Sequence, residues 1–214
     1  TGAITGGAVT LTSNKTSATA TLVHIAATGL ITANSLTVTS SGGLSATLVS
    51  LGIITINSGG GNITVTANAS DAGGDTGIYQ AGAITNNAVG SNISFISNNL
   101  IDQRGAISLV ANTGTPAANV IYDTTAGNKS SNIAAGALTF TTGANSVINY
   151  IAKSAGSAIT TAAIGTSTAT LPGYVALDNT YGCTTAPCTP ASGFIKSTNA
   201  SLLATASSGI TASA

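Results

Sequence analysis

The chain has 214 residues and few charged side chains, five Asp against five Lys or Arg with no Glu, so its formal net charge is zero. Without clustered cations it lacks the means to neutralise phosphates, which argues against a nucleic-acid partner. Its apolar fraction of 43% sets it apart from disordered chains, which combine low hydrophobicity with high net charge, and a chain of this size can bury roughly 70 to 75% of its unfolded surface.

In chain order, apolar residues alternate with Ser or Thr at Val9/Leu11, Leu36/Val38, Ile54/Ile56, Ile63/Val65, Ile93/Phe95, Ile107/Leu109 and Leu138/Phe140. Alternation at period two predicts half-buried strands. The same phrase recurs as "NSLTVTSS" (34–41), "GNITVTANAS" (61–70), "SNISFIS" (91–97), "GAISLVAN" (105–112) and "GALTFTT" (136–142), with a further short strand expected in "AGAITNNA" (81–88). Gly and Asn clusters, "SSGG", "NSGGG", "DAGGD" and "TTGAN", separate these phrases and favour tight turns. Helix start signals and a 3.6-residue period are missing. Only "SAGSAITTAAIG" (154–165) lets a helical turn compete, and its Gly and β-branched residues weaken that. The longest apolar runs, "LVHIAA" and "LVSLGIITI", fall well short of the ~20 residues of a membrane-crossing helix. The chain opens on Thr1 without a signal peptide, so a processed chain or a segment of a longer one is expected. A charge-poor surface of Ser, Thr, Asn and Gly suits the outside of a cell.

The anchors of the phrases are regularly spaced. Val9 to Leu36 and Leu36 to Ile63 are each 27 residues, Ile63 to Ile93 is 30, and Ile107 to Leu138 is 31. Periods of about 20 to 50 residues mark solenoids, propellers or arrays, whose units bury their apolar faces against one another. The expected fold is therefore all-β, a right-handed parallel β-helix over residues 1–214, of about eight coils and ~38 Å long at ~4.8 Å per coil. Its interior ladder is Ile63, Val65, Ile93, Phe95, Ile107, Leu109, Leu138 and Phe140. An antiparallel, pilin-like β-sandwich is the alternative; it accounts for the turns and the alternation but not for the 27-residue echo.

Candidate chemistry is sparse. His24, the single histidine, lies among apolar residues in "TLVHIAA" and is expected at a core or edge position, since one histidine makes a poor metal site. Asp71 and Asp75 in "DAGGDTG" have the residue types of a small Ca²⁺ loop, but two carboxylates without a complete signature read as an ordinary turn. Asp102 and Arg104 read as an exposed ion pair or corner. A polysaccharide-cleaving enzyme needs paired acids at one site, which here requires the fold to bring Asp102 and Asp123 together. Cys183 and Cys188, across "YGCTTAPCTP", are expected to form a disulfide that closes a loop at 181–190. A loop this short removes little unfolded-state entropy, so its role is local shape. Asn-x-Ser/Thr sequons occur at Asn14, Asn62, Asn68, Asn92, Asn128 and Asn199. No cofactor or metal site is expected.

The phrases "SNISFISNNLIDQRGAISLVANTG", "NVIYDTTAGNKSSNIAAGALTF" and "YVALDNTYGCTTAPCTPASGFI" resemble the β-strand-repeat exoproteins of Gram-negative bacteria, the filamentous-haemagglutinin-like proteins of two-partner secretion. The resemblance runs from about residue 53 to 210, is thinner over the first fifty residues, and rests on repeat style. It implies a long β-helix secreted through an outer-membrane barrel that acts without catalysis as a fibre or adhesin, though the chain lacks the amino-terminal secretion domain of such proteins. The expected partners are flanking repeats or copies of the chain joined end to end, and host-surface or matrix glycans. "TGAITGGAVTLT" and "LLATASSGITASA" carry none of the charged or helical caps that discourage such pairing. The alternatives are a polysaccharide-degrading β-helix enzyme and a strand-donating, pilin-like filament subunit.

Overall fold

A strand that is apolar on one side and hydroxylated on the other needs neighbours to complete its core, and here the neighbours are the preceding and following coils. The computed structural model describes residues 2–14, 21–42, 47–69, 76–110, 118–124, 132–141, 147–152, 158–162, 164, 174–178, 194–197 and 209–213. Among these residues there is no helix, and every strand pairing is parallel. The chain is a parallel β-solenoid. The antiparallel sandwich is excluded by this pairing.

The coils present three faces. The first stacks the start of β1 (Ile4–Asn14), the start of β3 (Leu30–Ser41), β5 (Ile53–Ile56), β8 (Ile84–Asn86), β11 (Ile107–Val110) and β14 (Leu138–Thr141). The second stacks the remainders of β1 and β3 with β6 (Ile63–Asn68), β9 (Asn92–Ser97), β12 (Asn119–Asp123), β15 (Val147–Ile151), β17 (Tyr174–Asp178) and β19 (Gly209–Ser213). The third stacks β2 (Val23–His24), β4 (Thr47–Leu51), β7 (Thr76–Gln80), β10 (Leu100–Gln103), β13 (Ile133–Ala135), β16 (Ala158–Thr161) and β18 (Phe194–Ser197). Residues 158–161 are thus extended, where the sequence let a helical turn compete; β-branched Ile159 and Thr160 and the ladder to β13 favour the strand.

The core is a set of aliphatic columns. Ile31, Ile54, Ile84, Ile107 and Leu138 stack beneath the first face. Leu36, Ile63, Ile93, Val120 and Ile148 stack beneath the second, and Val49, Ile78, Ile101, Ile133 and Ile159 beneath the third. All are buried, each worth about 1.5–3 kcal/mol relative to exposure. A second column under the second face changes character along its length, from Val38 and Val65 to Phe95, Tyr122 and Tyr150. The three rings stack with centroids 5.3 and 4.9 Å apart.

Bends are also bonded coil to coil. The Ile54 N–H donates to Ala83 O (3.0 Å), Ile84 N–H to Ala106 O (2.9 Å) and Ile107 N–H to Ala137 O (2.9 Å). This bend, from third face to first, is a column of glycines. A Cβ on Gly82 would lie 2.3 Å from the carbonyl carbon of Gly52, and one on Gly105 would lie 2.1 Å from Gly82 O. Backbone therefore packs on backbone with no room for a side chain. At Gly42, in "SSGG", the need is instead conformational, with φ at 86°.

Candidate functional site

Strand alternation turns every second residue outward, and in-register stacking converts those residues into columns ~4.8 Å apart. On the second face β1, β3 and β6 supply Thr10, Thr37 and Thr64 in one column and Thr12, Thr39 and Thr66 in the next. The following coil continues these columns with Ser94 and Ile96. On the first face a single hydroxyl column runs through Thr5, Thr32, Thr55, Thr85, Ser108 and Thr139. Amide side chains tie the coils along their edges. Asn62 Oδ1 accepts from the Asn92 N–H (2.8 Å), Asn92 Oδ1 from the Asn119 N–H (3.2 Å), and Asn57 Nδ2 donates to Asn34 Oδ1 (2.9 Å). Two sequon asparagines, Asn62 and Asn92, thereby have their carbonyl oxygens engaged.

The third face carries His24, Tyr79 and Asp102. Its outward column reads His24, Ser50, Tyr79 and Asp102. Arg104 donates through Nη2 and Nε to Asp102 Oδ2 at 2.9 and 3.0 Å, and its guanidinium lies 5.2 Å from the Tyr79 ring centroid. The hydrogen bond and charge of Asp102 raise the Arg104 pKa above its ordinary value, but the arginine side chain is 67% exposed, so the pair contributes little to stability. His24 is exposed on β2, the edge strand of its sheet, rather than in the core. Asp102 and Asp123 sit on different sheets, on β10 and β12, and share no face. Among the described residues no three of His, Cys, Asp or Glu gather into a metal site, and no helix is long and apolar enough to cross a membrane.

Inside, Gln103 forms a polar node. Its Oε1 accepts from the Tyr122 hydroxyl and from the Gly136 N–H (3.0 Å), while its Nε2 donates to Gly105 O (2.7 Å). Gln80, one coil earlier, donates in the same way to Gly82 O. Burial of Tyr122 and Tyr150 pushes both phenols well above their ordinary pKa.

Ile63, Val65, Ile93, Phe95, Ile107, Leu109, Leu138 and Phe140 are all buried. The structure divides them between faces: Ile63, Val65, Ile93 and Phe95 lie under the second, the other four under the first. Asp71, Asp75, Cys183, Cys188, the loop at 181–190, Asn128 and Asn199 lie outside the described residues. Sequence reasoning missed the glycine column and the two glutamines. A signal for the glycines was present in the phrase Gly-x-Ile/Leu-Thr/Ser, at Gly2, Gly29, Gly52, Gly82, Gly105 and Gly136. No protein-family model, curated protein or solved structure matches the chain.

Proposed function

We propose that the chain is a structural, non-catalytic β-solenoid segment of a secreted bacterial surface fibre or adhesin, of the filamentous-haemagglutinin-like type exported by two-partner secretion. The observation that carries this reading is the coil-on-coil repetition of the outward chemistry. Hydroxyls follow hydroxyls and amides follow amides over several coils, while the carboxylates Asp102 and Asp123 fall on separate sheets. Such a surface serves length and repeated weak attachment better than one reaction centre. Its natural ligands are host-surface or matrix glycans, whose hydroxyls pair with the hydroxyls of Thr and Ser and the side-chain amides of Asn.

The reading extends to assembly. Among the described residues β1 pairs only with β3, and Ile4, Thr10, Leu11, Thr12, Leu22, Val23, His24 and Ile25 line an open hollow of mixed polarity beside it. An unpaired strand edge beside such a hollow is a template for another coil, supplied by a flanking repeat or a second copy. Electron microscopy and fibre diffraction of the purified chain should show rods with strands across the axis and a ~4.8 Å axial repeat. A discrete monomer at high concentration, from an organism with no longer parent chain, overturns this. Export also calls for the Cys183–Cys188 bridge, so thiol titration of the denatured, unreduced protein should find no free thiol; two free thiols count against it.

A further inference from the structure

We infer that the threonine lattice on β1, β3 and β6 is an ice-binding surface, a role that stands apart from the fibre reading and does not depend on it. Six threonines, Thr10, Thr12, Thr37, Thr39, Thr64 and Thr66, occupy a two-by-three grid fixed by the strand register. Thr10, Thr12 and Thr37 are exposed, and Thr39, Thr64 and Thr66 are half-buried on the outer side of their strands. The strands that carry them, ITGGAVTLTSN, LITANSLTVTSS and ITVTAN, contain no charged residue, so no ion organises a competing hydration shell over the grid.

The spacing selects the ligand. Parallel strands place neighbouring threonines ~4.8 Å apart across the coils and about 6.7 Å apart along a strand. In a tetrahedral water network built on O–H···O distances of about 2.75 Å, second-neighbour oxygens lie about 4.5 Å apart and the layers repeat at about 7.3 Å. Over the two coil-to-coil steps of the grid the mismatch accumulates to about 0.6 Å, and the single step along a strand adds about 0.6 Å in the perpendicular direction, each comparable with the spread of ordinary O–H···O distances. Liquid water has no lattice to match, whereas the ordered phase does. A β-branched side chain is stiff at χ1, so the hydroxyls and methyls are positioned before contact and little rotamer entropy is lost on binding. The grid ends where Ile96 follows Thr66 in the column. The hydroxyl column on the first face is one residue wide, and over its five steps the same mismatch grows to about 1.5 Å. It therefore serves as the internal control.

The test uses the whole chain in nanolitre osmometry and in a recrystallisation assay in frozen sucrose. Wild-type protein and Thr85→Tyr, on the control face, should produce faceted crystals, a gap between melting and freezing, and arrested grain growth. Thr39→Tyr, which lifts a ring out of the grid, should abolish all three while its circular dichroism and melting temperature stay at wild-type values. Should Thr39→Tyr fail to fold, the near-isosteric pair Thr37→Val/Thr39→Val replaces it and should weaken the same signals. Round crystals and unchecked grain growth for the wild type, as in an equal concentration of albumin, overturn the proposal. Equal losses in Thr85→Tyr and the grid variants also overturn it.

Discussion

Tyr122 and Tyr150 are stacked in the interior, yet they differ in what their hydroxyls meet. The Tyr122 hydroxyl donates to Gln103, whereas the Tyr150 hydroxyl is buried without a partner. Replacing Tyr150 with Phe should therefore be neutral or stabilise by up to about 1 kcal/mol, while Tyr122→Phe should cost about 1 kcal/mol. The second cost is limited because Gly136 still donates to the Gln103 oxygen. Urea denaturation of the two variants separates them. Both phenols are held above their ordinary pKa by burial. Unfolded tyrosines, at about pH 10, then ionise first, so the unfolded state binds fewer protons than the folded one above that pH. Stability is fully present below pH ~10 and falls as pH rises beyond it; the double Phe variant should flatten that fall in denaturation curves run at successive pH values. Along the neighbouring strand, Val65→Asp buries an unpaired charge and should cost roughly 3–5 kcal/mol. Thr64→Asp, on the outer side, should change stability by no more than about 0.5 kcal/mol. Equal effects contradict the register.

At the scale of the element, the bend from third face to first depends on glycine for contact. Gly105→Ala should destabilise by about 1–3 kcal/mol or more, because the added methyl meets Gly82 O and Gly82 C. Gly59→Ala, with nothing within 4 Å of the added atom, should stay within about 0.5 kcal/mol of wild type; thermal melts of both variants check this. Strands and their partners were legible because the anchor spacing repeats: Val9 pairs with Leu36, Leu36 with Ile63, Ile63 with Ile93 and Ile107 with Leu138. Alternation gives the inward side of a strand but does not name its face, which is why Ile63 and Ile107 were placed in one ladder and are found in two. Gly82 and Gly105 lie singly within strand phrases, whereas "SSGG" and "NSGGG" stand out as turns. Tyr79 reaches Arg104 from the preceding coil, and no local pattern joins residues so far apart in sequence. The inward Gln80 and Gln103 break the apolar alternation, and only the bend they bond to explains them.

For the whole molecule, stability is carried by contacts between successive coils, since each coil touches chiefly the one before and the one after. Phe95 and Tyr122 are such neighbours, so the Phe95→Ala and Tyr122→Ala costs should be non-additive by about 0.5–3 kcal/mol. Val49, under β4, and Ile148, under β15, lie some four coils apart, roughly 19 Å. Their Ala substitutions should add to within about 0.5 kcal/mol. A double-mutant cycle on each pair measures this, and strong coupling between Val49 and Ile148 contradicts nearest-neighbour stabilisation.

The glycine bend also decides where such a chain accommodates change. From the inward residue of the third face to that of the first, four consecutive coils take five or six positions, Val49 to Ile54, Ile78 to Ile84, Ile101 to Ile107 and Ile133 to Leu138, against eight from Val23 to Ile31 in the coil before them. From second face to third the same journey takes eight positions between Ile93 and Ile101 but fifteen between Ile63 and Ile78. The glycine corner keeps its length over these four coils, whereas the other two absorb added residues, since from first face to second the path takes five positions between Ile31 and Leu36 but thirteen between Ile107 and Val120. Segments gained or lost during evolution, and peptides grafted by design, are thus accommodated at the two corners that flank the second face, where successive insertions project in the order in which the coils are stacked.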